Sequence, residues 1–180
     1  MKKLFATMVL ALITATAAMP VAANPNNTVE DTDKTLKKIR KELVTLPFYS
    51  VFDNLAFNYE EGVVTLYGQV SRPTLRKDAE RVVERVAGVD QVINRIEVLP
   101  LSSFDDQIRR AVFRAVYRQP GLDRLAFQAV PPIHIIVKNG NVTLEGVVPN
   151  KGDATRAFIA ANGVSNVFSV TNNLRVEKGK

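Results

Sequence analysis

Residues 62–70 read Gly-Val-Val-Thr-Leu-Tyr-Gly-Gln-Val, and residues 140–148 read Gly-Asn-Val-Thr-Leu-Glu-Gly-Val-Val, 78 positions later. Apolar residues alternate in both stretches, which predicts a β-strand with one buried face. Each stretch follows a turn sequence, Glu60-Glu61-Gly62 or Lys138-Asn139-Gly140, and Asn-Gly is a strong hairpin signal. A stretch that recurs with its turn predicts two copies of one structural unit.

The sequence around each stretch predicts the same four further elements. A helix comes first, an alternating strand precedes the turn, a second helix follows the quoted stretch, and a last strand closes the unit. The apolar residues of these elements are Leu36, Ile39, Leu43, Leu46, Leu55, Phe57, Tyr59, Leu75, Ala79, Val82, Val83 and Val86 in the first copy, and Ile108, Val112, Ala115, Val116, Ile133, Ile135, Val137, Ala154, Ala157, Phe158 and Ala161 in the second. The last strands are expected at about 92–99 and 167–176.

The number of positions that separates equivalent residues of the two copies changes along the chain. Gly88 pairs with Gly163 and Val92 with Val167, 75 positions apart, before the offset returns to 78 at Asn94 and Asn172. This predicts a shorter second helix and a longer loop in the second copy. Gly88 and Gly163 are each expected to end a helix.

These elements predict an α+β fold of two tandem αββαβ domains, at residues 34–100 and 103–178. The second strand, second helix and last strand form a crossover, which makes those two strands parallel, whereas the hairpin is antiparallel. Each domain is therefore expected to be a three-stranded mixed sheet covered on one face by two helices.

The first 23 residues resemble a secretory signal peptide. Lys2 and Lys3 precede an uncharged apolar run at 4–18, and Val21-Ala22-Ala23 supplies the small residues of a cleavage site. An uncleaved membrane anchor is the alternative, although the run is shorter than the roughly 20 residues of a spanning helix. Export predicts a periplasmic protein, with residues 24–33 as a flexible tether.

Composition narrows the class of protein. The 180-residue chain has no Cys, so neither a disulfide framework nor a lipoprotein anchor is expected. Its net charge of +6 becomes +4 when Lys2 and Lys3 are removed with the signal peptide. This modest surplus favours an anionic membrane surface over nucleic acid as the partner.

The residues needed for catalysis are not clustered in the sequence. His134 is the one histidine, and its place in an alternating strand predicts a surface side chain. Asp105-Asp106 and Glu60-Glu61 are isolated pairs, typical of a helix start and a turn. The glycines at 62, 68, 140 and 146 flank strands rather than open helices, so they do not form a phosphate cradle. We expect no enzyme, no cofactor and no metal site.

The pattern of the two copies resembles the BON domain. It consists of alternating apolar residues, Gly-x-Val-Thr-Leu-x-Gly-x-Val, a helix that ends in Gly-Val, and Asn-x-apolar-x-Val, and it covers about residues 33–178. Two copies behind a signal peptide are similar to the periplasmic, osmotic-shock-inducible type of the family. This resemblance implies a non-catalytic protein that binds phospholipid and supports envelope integrity and osmotic tolerance.

The first helix of the second copy is the strongest candidate for a binding surface. At about 100° per residue, a buried stripe of Ile108, Val112 and Val116 leaves an opposite side that is both aromatic and basic. Rings among cations are typical of helices that dock on anionic lipid. The predicted lipid-binding residues are Arg110, Phe113, Arg114 and Tyr117 on that side, with Arg109 and Arg118 at its margins.

Two alternatives remain open for this helix. Phe113 and Tyr117 can instead pack against the first copy, with the arginines only solvated. The protein can also be a protein–protein adaptor of the envelope without direct lipid binding, contacting its partner through the aromatic face or an open strand edge. RNA binding fits the same residues but not export, and a hydrolase would need polar clusters that the sequence does not supply.

Overall fold

The computed structural model describes the backbone of residues 25–177 and the side chains of residues 31–177. The first unit contains α1 (Pro25–Val44), β1 (Asn54–Glu60), β2 (Val63–Val70), α2 (Pro73–Val83), β3 (Gln91–Asn94) and β4 (Glu97–Val98). The second contains α3 (Ser103–Tyr117), a 3-10 helix (Asp123–Phe127), β5 (Ile133–Lys138), β6 (Asn141–Val148), α4 (Lys151–Asn162), β7 (Ser169–Asn172) and β8 (Arg175–Val176). The predicted α+β fold in two repeated units is confirmed.

Each sheet is mixed, as predicted, but its last strand is broken into two. β2 pairs antiparallel with β1 and parallel with both β3 and β4, and β6 does the same with β5, β7 and β8. Asn94 causes the break, because its side-chain oxygen accepts from the Ile96 N–H at 3.1 Å while its amide donates to the Arg76 carbonyl at 2.8 Å. Asn172 repeats this arrangement with Leu174 and Ala154.

The predicted shift in offset between the copies is wrong. Val92 pairs with Val64 and Val170 pairs with Val142, so the offset stays at 78 through the last strands. The residue equivalent to Gly88 is therefore Asn166, and both adopt the left-handed conformation, with φ of 87° and 69°. The α4 helix has 12 residues against 11 in α2, so it is not shorter.

Two glycines of the repeated stretch are required by close backbone contacts. Gly68 and Gly146 have φ of 112° and 124°, in the region that side chains rarely adopt. A Cβ at either position would lie 2.0 Å from the carbonyl oxygen of Asn54 or of Pro132 on the neighbouring strand segment. The close approach of the two strand segments therefore explains why both positions are glycine.

The N-terminal helix begins earlier than the sequence predicts. The segment expected to be a tether is helical from Pro25 onward, and this helix continues without interruption into the buried positions Ile39 and Leu43. The predicted signal peptide lies outside the described residues. In the part of the chain that the structure describes, no helix has the length and apolarity needed to cross a membrane.

Each unit has its own core between its sheet and its two helices. In the second unit the small residues Ala154, Ala157 and Ala161 form the buried side of α4. Phe158, expected on that buried side, is 36% exposed. Because alanine side chains are short, this side of α4 can lie close to the sheet. The larger Phe158 ring next to it is left outside the contact between α4 and the sheet.

A loop of the first unit completes the core of the second. Val51 is 7% exposed and belongs to the second core, and its carbonyl oxygen accepts from the Ile135 N–H on β5 at 2.8 Å. The buried Asp53 carboxylate fixes this loop, because it accepts hydrogen bonds from the N–H and hydroxyl groups of both Ser50 and Ser71. The two units are thus joined by a shared core as well as by the chain.

His134 lies in this junction, so its prediction as a surface residue is wrong. Its ring centroid is 5.7 Å from that of Tyr49. Burial lowers the pKa of His134 below its ordinary 6.5, against opposing contributions from the Asp53 and Ser50 backbone and from the Asp53 and Glu145 charges. The face of β5 that an isolated domain would expose is covered here by the first unit.

Candidate functional site

The start of α3 is fixed by two hydrogen-bonding residues. The Ser102 hydroxyl accepts from the Asp105 N–H at 3.1 Å and caps the helix. The buried Asp105 carboxylate accepts from the N–H groups of Asn139 and Gly140 at 2.9 and 2.8 Å. These bonds attach α3 to the β5–β6 turn and so determine which of its side chains face solvent.

Tyr117 points inward, contrary to the prediction. It is 5% exposed, and its hydroxyl donates to the Ile133 carbonyl at 2.9 Å and accepts from the Ile133 N–H at 3.0 Å. Burial raises the pKa of this hydroxyl. In the first unit Tyr49 is hydrogen-bonded to the backbone of Leu55, which stands 78 positions before Ile133, and burial raises the pKa of Tyr49 to about 12.

Arg109 is also buried, contrary to its predicted marginal position. It is 5% exposed, donates to the Val137 carbonyl at 2.7 Å and pairs with Asp106. A guanidinium with these partners stabilises the contact between α3 and β5, where it is not available to a membrane. Neither Arg109 nor Tyr117 therefore belongs to an exposed surface.

Phe113 is half-buried at the junction of the two units. Its ring centroid lies 4.9 Å from that of Tyr117 and 6.1 Å from that of Phe52, the latter in an edge-to-face arrangement. The alternative of packing against the first copy is therefore correct for Phe113. An edge-to-face pair of this kind favours association of the two units.

Three of the six predicted residues remain on the surface. Arg110, Arg114 and Arg118 are exposed and follow one another at four-residue intervals, so they lie along one side of α3. None of them forms an ion pair within residues 31–177. Arg110 and Arg114 line an open groove of about 390 Å³ between α3 and the loop that follows α4.

Two phenylalanines that the sequence reasoning missed lie beside these arginines. Phe104 lines the same groove, and its ring centroid is 6.1 Å from that of Phe168. They are 40% and 72% exposed. A constant offset of 78 between the copies aligns Phe168 with Asp90, and each side chain lies over the glycine of its hairpin turn. Keeping that offset through the loop was therefore the sequence signal that would have located Phe168 at the turn.

A second groove of about 340 Å³ lies where the two units meet. Arg72 of the first unit and Arg110 of the second both line it, next to Leu101, which is 95% exposed. The Arg72 guanidinium also lies 4.8 Å from the centre of the exposed Phe48 ring. The basic and aromatic surface of α3 therefore continues across the junction onto the first unit.

The arrangement of side chains at this surface suits contact with an anionic partner. Exposed arginines present planar donors that match phosphate oxygens, and nearby apolar side chains suit a lipid interface. Among the described residues, no group of three or more His, Cys, Asp or Glu side chains is placed to hold a metal ion. The fold and this surface define a small protein of two repeated α+β units with an exposed basic and aromatic face.

Comparison with known proteins identifies the family. The family model described as "BON domain" matches residues 33–100 and 104–178, so the chain belongs to the BON domain family. This family is non-catalytic, and it is often linked to membrane or phospholipid binding and to the cell envelope. The osmotically inducible type is not distinguished by this match.

Solved structures add one weak likeness. Two structures of CdsD, a structural protein of the type III secretion system of Chlamydia trachomatis, match with 11% identity and a TM-score of 0.33. The matches cover 79% and 82% of this chain and 97% and 94% of those chains. A TM-score of 0.33 is too low to support an inference about this chain. No curated protein matches it significantly.

Proposed function

We propose that this chain is a periplasmic envelope-maintenance protein that binds anionic phospholipid through the exposed arginines of α3. The observation that carries the proposal is the row of Arg110, Arg114 and Arg118, which has no acidic partner within residues 31–177 and whose first two members share a groove with the exposed Phe104 ring. Cations that pair with phosphate, next to rings at headgroup depth, are the two contributions that hold a peripheral protein on anionic lipid.

The buried members of the predicted set have a different part in this proposal. Arg109, Phe113 and Tyr117 hold α3 against β5 and Phe52, so they orient the exposed arginines without contacting lipid. Support for envelope integrity and osmotic tolerance is the proposed physiological role, and export through cleavage after Ala23 is the proposed route. The expected result is a periplasmic protein whose measured mass corresponds to a chain that begins at Asn24.

Vesicle sedimentation tests the lipid-binding proposal. The chain should sediment with vesicles of phosphatidylglycerol and phosphatidylcholine, should stay in solution with phosphatidylcholine alone, and should be released by salt. Arg110→Ala with Arg114→Ala should weaken binding about thirtyfold, since each cation near the surface contributes about 1 kcal/mol.

The matched control removes the same charge elsewhere. Arg85 and Arg95 are exposed residues of the first unit and not part of α3, and Arg85→Ala with Arg95→Ala should reduce binding much less. Equal losses in the two double variants would show that only net charge matters, and indifference to phosphatidylglycerol would refute the proposal. A protein–protein adaptor is the second candidate, and it is favoured by a separate open strand edge on the first unit.

A further inference from the structure

The second unit contains a groove between α3 and the outer edge of β5, and a segment of the first unit fills it. Val51 belongs to the apolar cluster that α3 and β5 form, and Phe52 packs against Phe113 on α3. The side chains of Ile133, Ile135 and Val137 on β5 are consequently 0% exposed. The occupying segment also adds a backbone hydrogen bond to the strand edge, from the Ile135 N–H to the Val51 carbonyl.

The first unit contains the equivalent groove, between α1 and β1, and no described segment fills it. On the strand, Leu55, Phe57 and Tyr59 stand 78 positions before Ile133, Ile135 and Val137, yet all three are only partly buried. On the helix, Val44 stands 69 positions before Phe113, as buried Ile39 does before Ile108, and Val44 is 49% exposed. The open groove has a volume of about 470 Å³.

The backbone of β1 is also placed to accept a further strand. Phe57 pairs with Leu66 in the register in which Ile135 pairs with Leu144. Residues of an antiparallel strand point their N–H groups alternately to the two sides, so the Phe57 N–H points to the outer edge, as the Ile135 N–H does. An edge with free donors and acceptors is a template for pairing with another chain.

We propose that the groove between α1 and β1 binds an extended segment of another protein, which adds to the edge of β1 as the Val51 segment adds to β5. The segment would carry a β-branched residue followed by an aromatic residue, because Val51 and Phe52 fill the equivalent groove. Arg40 and Arg175 line the open groove and no acidic side chain does, so the segment would also carry an acidic residue. Strand addition of this kind takes affinity from the backbone and specificity from alternate side chains.

The test uses the loop sequence of the protein itself as the probe. The capped peptide Pro-Phe-Tyr-Ser-Val-Phe-Asp-Asn has the sequence of residues 47–54. It is titrated into the isotope-labelled protein that begins at Asn24, and the amide chemical shifts of the protein are followed. We expect saturable shifts at Leu55–Tyr59 and Leu36–Val44. The same peptide with Asp at the Val51 position should bind at least about tenfold more weakly, because a charge would enter an apolar groove.

A matched pair of protein variants at one exposed position makes the test specific. Val44→Phe restores the ring that Phe113 provides in the second unit and should tighten peptide binding, whereas Val44→Glu should weaken it about tenfold. Thermal unfolding checks that both variants remain folded. Absence of saturable shifts, or equal affinities for both variants, would overturn the proposal.

Two other occupants of the groove give distinct results. Self-association through the groove would appear as a concentration-dependent dimer in sedimentation that Val44→Glu abolishes, and this outcome would replace a partner protein by a second copy. Lipid in the groove would appear as loss of vesicle binding in Val44→Glu. Because the arginines of α3 do not line this groove, Arg110→Ala with Arg114→Ala should leave peptide binding unchanged, so the two proposals fail separately.

Discussion

Tyr117 and Ile133 exchange two hydrogen bonds, with the phenol donating to the Ile133 carbonyl and accepting from the Ile133 N–H. This pair joins the end of α3 to the beginning of β5 inside the core of the second unit. One hydroxyl therefore satisfies both polar groups of a buried residue at the start of an edge strand.

Replacing Tyr117 by Phe should consequently destabilise the fold by roughly 1–3 kcal/mol, because two buried backbone groups lose their partner. Urea unfolding followed by circular dichroism measures the change. Tyr67→Phe serves as the control, since Tyr67 is 37% exposed, and its midpoint should stay within error of the parent. Equal stability of the Tyr117 variant and the parent would contradict the structural role assigned to this hydroxyl.

Val51→Ala should destabilise the second unit, although the residue belongs to the first. Removing the two methyl groups, and leaving the space they occupied unfilled, should lower the free energy of unfolding by about 1–2 kcal/mol or more. Amide exchange resolved by residue should show faster opening at Ile133–Val137. Val63→Ala, at a partly buried position outside this loop, should leave exchange in β5 unchanged.

Acidification should weaken the junction through His134. Burial lowers the pKa of this imidazole in the folded chain, so between about pH 6.5 and the lower folded value the unfolded chain binds more protons than the folded one. Stability should therefore fall as the pH decreases below about 6.5.

His134→Gln isolates this contribution, because His134 is the one histidine of the chain. The difference in unfolding free energy between the parent and this variant should change across that pH range and stay constant above about pH 7.5. Parallel pH profiles for the two proteins would show that the imidazole does not titrate differently on folding.

Gly146→Ala should be among the most damaging single substitutions in the second unit. Its Cβ would approach the Pro132 carbonyl to 2.0 Å at a φ of 124°, and we expect a loss of more than about 2 kcal/mol. Gly163→Ala is the matched control, because Gly163 has a φ of −81° and its Cβ would meet nothing closer than 3.6 Å. Thermal unfolding should leave that control within about 1 kcal/mol of the parent.

The sequence predicted the units well because their evidence is local and repeated. Alternation, hairpin turns and glycines occur twice, and each occurrence supports the other. The offset was misjudged because Asn166 replaces the glycine at position 88, and Gly163 nearby resembles it in sequence. Asparagine tolerates the left-handed conformation better than most residues, so the turn is preserved without its expected glycine.

The candidate surface was predicted only in part, since a helical wheel describes one helix without its neighbours. Arg109 and Tyr117 are buried by β5, and Phe113 by Phe52 of the other unit. Those contacts depend on how the strand and the junction are placed, and neither is encoded in the periodicity of α3. Arg110 and Arg114 were predicted correctly to face outward, and Arg118, predicted at the margin, is exposed with them.

The contribution of Val51 to the second core makes the two repeats unequal. A fragment that starts at residue 103 would lack Val51 and so would have an incomplete core. The core of the first repeat, in contrast, contains no residue of the second. The first repeat is thus the donor of a core side chain and the second is its recipient. The second repeat therefore takes one part of its apolar interior from the repeat before it.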